Sequence, residues 1–549
     1  MIARLLVYAL LAGPGLGSGT LRLAPIFTDH MVLQRDQPLH FWGKGLPGAT
    51  VWVSFGGERR PTRVKRDSSW SLYCPRQKAD ASPQGLVVSS DGDSVVMNDI
   101  LIGDLWLCLG QSNMEFPMSR EMHFKTEVAQ SRQPLIRLYN PGYVGKDWYG
   151  KPYTDSMLAV LRPETFYSGT WQRCDSGSVR TMSAVGYYFG KTIARRERIP
   201  VGLINLAIGG CPAETFISTA ALRAGRFAAK TKGNWLTNDA LPVWVRTRGR
   251  QNIGGHPRAI GDGRGDVGDG HGDVGDGHGD VGDGHGDVGD DHGEVGDDPG
   301  GARDDHGEVG DDGGPNHAYK PGWAYAAGVE PLTPLAIRGI IWYQGESNAQ
   351  ELPRVIEYQE LMKVLIASYR KAWRQPDLPF YWVQLSSIDT VHYASRYWPE
   401  FRDDQRRLLA QLPHGGMAVS SDLGFKDDVH PTNKKDVGER LARWALAQDY
   451  GVDTLVCGPL PATVRYSHDT VTVSFQYAVN GLETADGLAV QGFSLDGLTD
   501  TPAIIHGNTI EIVSSRKPLA VYYGWKPYTD ANLCNFEKLP ASTFKLIIP

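Results

Sequence analysis

Leu105-Trp-Leu-Cys-Leu109 runs straight into Gly110-Gln-Ser-Asn-Met114, an apolar stretch that stops at a glycine-led polar turn. Apolar on every residue rather than on alternate ones, it has the pattern of a strand buried on both faces. Comparable runs follow at Val201-Gly-Leu-Ile-Asn-Leu206, Ile337-Arg-Gly-Ile-Ile-Trp342, Phe380-Tyr-Trp-Val383 and Met417-Ala-Val419. Between them the spacing turns helical. Tyr358, Leu361, Met362, Leu365, Ile366, Tyr369 and Trp373 share one face of a helix, and Val437, Leu441, Trp444 and Ala445 share a face of another. Strands alternating with amphipathic helices predict an α/β fold, a parallel sheet flanked by helices on both faces.

On either side of this region the period changes to that of short strands. Val51-Trp-Val-Ser-Phe55 alternates and meets a turn at Gly56-Gly57, and Trp70-Ser-Leu-Tyr73 follows. Beyond residue 456 come Val471-Thr-Val-Ser-Phe475, Ile510-Glu-Ile-Val513, Ala520-Val-Tyr-Tyr523 and Phe544-Lys-Leu-Ile-Ile548. A chain of 549 residues exceeds one compact domain. The expected organisation is an N-terminal β domain over 20–100, an α/β domain over 101–455 and a C-terminal β region over 456–549 that packs with the first.

The formal charge of −6 hides an asymmetry. Residues 261–314 repeat Gly-Asp-Gly-His-Gly-Asp-Val and hold sixteen Asp and two Glu against two Arg, which leaves the rest of the chain a mild basic excess of +10. So much glycine and like charge cannot offset the entropy of ordering, so the segment is expected to be a disordered acidic insertion. Its seven-residue period does not match the nine-residue calcium-binding repeat. No Lys/Arg-dense run suggests a nucleic-acid partner. Arg4, the apolar Leu5–Leu11 and the small residues Gly15, Gly17, Ser18 and Gly19 have the form of a signal peptide over 1–19, too short to span a bilayer. No later stretch is long and apolar enough for an integral membrane segment. A secreted or periplasmic protein is therefore expected, or a lysosomal or extracellular one in an animal; the absence of any Asn-x-Ser/Thr sequon favours the bacterial setting. The six cysteines contain no Cys-x-x-Cys pair, which excludes the usual zinc-finger and thioredoxin patterns, and their pairing is not legible.

Chemistry gathers at the carboxyl ends of parallel strands. Ser112 follows the Leu105 strand in a Gly-led turn, where it could attack a carbonyl if a base takes its proton. Alone, Gly-x-Ser reads better as an ordinary strand-to-helix turn with Ser or Asn as N-cap. Three more strand ends shift the balance: Ile208-Gly-Gly210, Ile341-Trp-Tyr-Gln-Gly-Glu-Ser-Asn348 and Asp427-Asp-Val-His-Pro431. They place Ser, Gly, Asn and His on strand-end loops in that chain order.

The blocks GQSNM, WYQGESN and DDVHP resemble those of the sialate O-acetylesterase family, a branch of the SGNH (GDSL-like) hydrolases. Phe27-Thr-Asp-His-Met-Val-Leu-Gln-Arg35 resembles that family's N-terminal β region, and Leu539-Pro-Ala-Ser-Thr-Phe544 its closing strand. The resemblance covers nearly the whole chain except the acidic repeat. It implies a flavodoxin-like SGNH sheet and a serine esterase releasing acetate from O-acetylated sugars, sialic acid or related glycans. By position it makes Ser112 the nucleophile and His430 the general base. The N–H groups of Ser112 and Gly210, with the side-chain amide of Asn348, would form the oxyanion hole, Gly209 being the alternative glycine. The third member of the triad is Asp427 by the general Asp-x-x-His pattern, with Asp428 as the alternative suggested by this branch. Gln111, Asn113, Gln344 and Glu346 are expected as supporting residues, Glu346 orienting its own loop.

Acetyl transfer to water requires no metal and no organic cofactor. Trp106, Trp342 and Tyr343 could flank a shallow pocket, though core positions suit them better. His392 is expected at the surface or against substrate, and Asp422 at the end of its strand. Three other readings compete: an acetylxylan or other polysaccharide acetylesterase, a non-catalytic carbohydrate-binding protein on an esterase scaffold, and a glycoside hydrolase using Glu346 with an Asp. The last leaves GQSN unexplained.

Overall fold

A computed structural model describes residues 21–254 and 313–549. The expected signal peptide, and the acidic repeat apart from its last two residues, lie outside these. The organising element is strand β1 (Asp93–Gly110), eighteen residues long. Its first part belongs to the N-terminal region, pairing antiparallel with Asp80–Ser90 and parallel with Val32–Gln34. Its last part, from Asp104, enters the central sheet. The N-terminal strands and the α/β region therefore share one strand and one continuous core, from Leu21 to Leu460.

After β1 come α1 (Ser112–Glu115), β2 (Gln133–Tyr139), β3 (Trp171–Cys174), α2 (Ala184–Glu197) and β4 (Val201–Asn205). Then follow β5 (Gly339–Tyr343), α3 (Leu352–Ala372), β6 (Phe380–Gln384), α4 (Trp398–Leu409), β7 (Gly415–Val419) and α5 (Lys435–Tyr450). The central order is β3-β2-β4-β1-β5-β6-β7. Every pairing along it is parallel except β3 with β2. The strands β4-β1-β5-β6-β7 thus stand in the order second, first, third, fourth, fifth, which is the flavodoxin-like winding. All residues of β4, β5, β6 and β7 are buried, as unalternating apolar runs require.

Both faces of the sheet are covered. Tyr381 on β6 donates to Asp449 on α5 at 2.6 Å, and its neighbour Trp382 donates to the Gln405 carbonyl on α4 at 3.2 Å. Successive strand side chains point to opposite faces, so α4 and α5 lie on opposite sides. The predicted helix faces are the buried ones, Tyr358 to Tyr369 on α3 and Val437 to Ala445 on α5.

The C-terminal strands have a core of their own, built on Val471, Val473, Phe475, Phe493, Ile510, Ile512 and Phe544. They dock on α4. The buried Arg402 guanidinium donates to the Gly524 carbonyl (3.1 Å) and to that of Lys526, and the Thr543 N–H donates to Gln384 (3.4 Å). Packing of the two β regions on each other was the expectation. Among the described residues no side-chain hydrogen bond joins them; the N-terminal strands are merged into the α/β core through β1. All six cysteines are buried and unpaired. Among the described residues no helix is long and apolar enough to cross a membrane.

Candidate active site

The winding reverses around β1, whose neighbours β4 and β5 leave in opposite directions. A crevice opens there beyond the carboxyl ends of the strands. β1 ends at Gly110, which holds φ +135°; a Cβ there would lie 2.1 Å from the Tyr343 carbonyl oxygen of β5, so only glycine passes. Gln111 then donates its N–H to that same carbonyl at 2.9 Å, and α1 begins at Ser112. Ser112 is thus not an N-cap. Gln111 holds that position, with no side-chain cap bond.

The Ser112 hydroxyl lies 2.8 Å from Nε2 of His430, which the loop after β7 brings across the crevice. On the far side of the ring, Nδ1 is 3.3 Å from Oδ1 of Asp428. A carboxylate facing Nδ1 keeps the proton there, so Nε2 accepts from the serine hydroxyl. The acid beside the imidazole is therefore Asp428, and the first expectation, Asp427, is corrected. Oδ1 of Asp428 also accepts the His430 backbone N–H at 2.8 Å, closing a tight Asx turn that holds carboxylate and ring together. Asp427, one residue earlier, points away and is exposed. The hydrogen bond with His430 holds the Asp428 carboxyl below its ordinary range, with a smaller contribution from the nearby Arg120 charge.

Ser112 and His430 line a cavity of about 480 Å³ whose walls include Tyr149, Trp244, Tyr393 and Arg120. Gly210 also lines it. Among the described residues, no acceptor holds the backbone N–H of Ser112 or of Gly210. Gly209 differs: its N–H donates to the Tyr143 hydroxyl at 3.3 Å and its carbonyl accepts from Tyr319 at 2.8 Å. A Cβ on Gly209 would fall 1.8 Å from the Tyr149 hydroxyl, so any larger residue here would push Tyr149 aside. Tyr143 in turn donates to Glu115, whose carboxyl burial pushes up against the pull of Lys146. The sequence reading missed Glu115 and Tyr143. Only the Met-Glu that follows GQSN hinted at the former.

Residues 324–447 match the family described as "Carbohydrate esterase, sialic acid-specific acetylesterase". The sialate O-acetylesterase of Mus musculus is 25% identical over 483 residues, covering 81% of this chain and 76% of the mouse protein. That of Homo sapiens is 23% identical over 472 residues, covering 81% and 74%. A carbohydrate acetylesterase from Xanthomonas citri superposes with a TM-score of 0.71 at 26% identity, over 96% of this chain and 99% of that one. Over residues 324–447 the chain carries the sialic acid-specific acetylesterase domain, and as a whole it is a distant homologue of the sialate O-acetylesterases. It is a carbohydrate esterase by kind, and hence a hydrolase.

In this hydrolase the sequence blocks are tied together behind Ser112. The Asn113 side chain donates to Glu346 (2.5 Å) and to the Val429 carbonyl (3.0 Å), and accepts from Lys434. One asparagine thus joins the GQSN, WYQGESN and DDVHP segments. Glu346 is fully buried, and burial pushes its carboxyl up. Its place is in this scaffold, reaching beyond its own loop. Lys434, unforeseen from sequence, lies over the rings of Phe116 and Tyr343; burial lowers its ammonium to about 7.

Asn348 departs from its expected role. Its amide donates to Glu214 at 3.0 Å, and its carbonyl accepts from Gln344 (2.7 Å) and from the Ala213 N–H (3.0 Å). It is fully buried and does not line the cavity. Burial opposes ionisation of Glu214, but Lys230, 2.8 Å away, together with Asn348 holds its carboxyl below the usual range. A charged acceptor thus takes one N–H of this amide at a place the cavity does not reach. Asn348→Ala would leave Glu214 and the Ala213 N–H short of partners, so a loss of about 1–3 kcal/mol of stability is expected in urea unfolding. An unchanged midpoint with kcat lowered ~10²–10³-fold would return Asn348 to the oxyanion hole.

Trp106, Trp342 and Tyr343 are fully buried core residues. His392 is exposed and does not line the cavity, and Asp422 is engaged by Arg440 through two 2.7 Å contacts.

Proposed function

We propose that this hydrolase removes O-acetyl groups from sugars by acyl transfer through Ser112, with O-acetylated sialic acid or a related acidic glycan as substrate. The carrying observation is the 2.8 Å contact of the Ser112 hydroxyl with His430 Nε2 at the wall of an open cavity. Ser112 Oγ attacks the acetyl carbonyl while its proton passes to Nε2. The carbonyl oxygen, now anionic, takes hydrogen bonds from the free N–H groups of Ser112 and Gly210. His430 returns the proton to the departing sugar oxygen, leaving acetyl-Ser112. Water then repeats the sequence, giving up a proton to His430, and the serine oxygen leaves with it as acetate is released. Asp428 stabilises the imidazolium at each passage.

The relatives support an acetylated sugar. For an acidic one the support is Arg120, whose guanidinium lies over the Phe116 ring and makes no ion pair among the described residues. Lys146 on the same wall is paired with Glu115 at 3.4 Å. Arg120→Ala is expected to raise KM for O-acetylated sialic acid about tenfold, one charge-assisted contact, while leaving p-nitrophenyl acetate turnover within twofold. Equal effects on both substrates would remove Arg120 from sugar recognition. Acetate release measured across O-acetylated sialic acids and acetylated xylo-oligosaccharides decides between the two substrate classes. The signal-like N-terminus supports an activity outside the cytoplasm.

A further inference from the structure

Asn348 donates to Glu214, is fully buried and does not line the cavity, which leaves the proposed oxyanion hole two backbone donors and none from that side chain. We infer that the third donor is the side-chain amide of Gln111, an inference that rests on the esterase reading above. The Gln111 carbonyl oxygen accepts from three N–H groups of the loop after β5: Gln344 Nε2 (3.2 Å), Gly345 N (3.4 Å) and Ser347 N (3.2 Å). Three donors around one atom fix which end of the amide is oxygen. The NH₂ end must then point the other way, away from that loop. Gln111 lines the cavity together with Ser112 and Gly210, and the NH₂ has no acceptor among the described residues.

Buried polar groups are satisfied almost without exception. Gln111 is itself only 2% exposed, and the cavity it lines is where that small opening lies. A donor held open this way, its other end clamped by three hydrogen bonds, needs no reorganisation when charge develops on the substrate oxygen. The loop that was expected to supply the donor supplies the clamp instead.

Two variants test this in the full-length protein. Gln111→Glu keeps an acceptor for the three loop N–H groups but has no amide to donate; Gln111→Met is neutral, of similar length and neither accepts nor donates. Both are expected to lose ~10²–10³-fold in kcat for p-nitrophenyl acetate with KM within about threefold, and Gln111→Glu to keep the wild-type melting temperature within a few degrees. If Gln111→Met loses activity and Gln111→Glu does not, Gln111 only positions the loop and the inference fails. If either folded variant keeps kcat within threefold of wild type, it fails as well. Wild-type protein that releases no acetate from any ester overturns the esterase reading itself, and the inference with it, a result distinct from the other two.

Discussion

Ser112→Ala is expected to cut kcat for acetate release by ~10⁵–10⁶-fold while the protein melts as wild type does. The size follows from what the hydroxyl does. Without Oγ there is no acyl-enzyme, and a water would have to be placed and activated in a crevice shaped for a serine. What remains is the pull of the oxyanion donors and the cavity on a bound ester, a residue of catalysis far above bulk water and far below the intact site. The fold has little stake in this oxygen, because its hydrogen bond is to a half-exposed imidazole and α1 starts without a side-chain cap. A melting temperature that falls by 10 °C or more would show the hydroxyl to be structural instead.

The second large effect separates two adjacent residues. Asp428→Asn is expected to lower kcat ~10³–10⁴-fold, and Asp427→Asn less than threefold. An amide at 428 can present its NH₂ to Nδ1, which then carries a lone pair in place of a proton. The ring is left with its hydrogen on Nε2, facing Ser112, where it can no longer accept the serine proton. The imidazolium also loses its counter-charge. Asp427 touches neither ring nor serine and lies in solvent. Steady-state kinetics on the two variants reads the difference directly; comparable losses in both would place the acid elsewhere.

The fold was largely legible because its signal is redundant. Five apolar runs that do not alternate, separated by helical faces, leave few arrangements besides a covered parallel sheet. What periodicity could not show is that β1 crosses the boundary near residue 100: a strand continues through a change of partner without any change of pattern. Nor could it show where the C-terminal strands dock, since a main anchor is the buried Arg402, on a helix that reads as polar.

In the site, the residues that meet were visible as strand-end blocks, but their roles depend on which way side chains turn. Asp427 and Asp428 are chemically identical and adjacent, so only the Asx turn at His430 separates them. Asn348 and Gln111 carry the same amide. Which of them faces the cavity is set by Glu214, whose charge captures one, and by three N–H groups that clamp the other. Glu214 was not singled out from the sequence, because a buried ion pair with Lys230, sixteen residues away, leaves no local pattern.

The proposed chemistry turns on Ser112 Oγ as the atom that takes the acyl group. A fluorophosphonate reacts with an activated serine and stays attached, so peptide mapping by mass spectrometry after labelling locates that serine. A single adduct is expected, on the peptide carrying Gly110-Gln-Ser-Asn-Met114, absent in Ser112→Ala and strongly slowed in Asp428→Asn. An adduct on any other serine, or full labelling of Ser112→Ala, would contradict it.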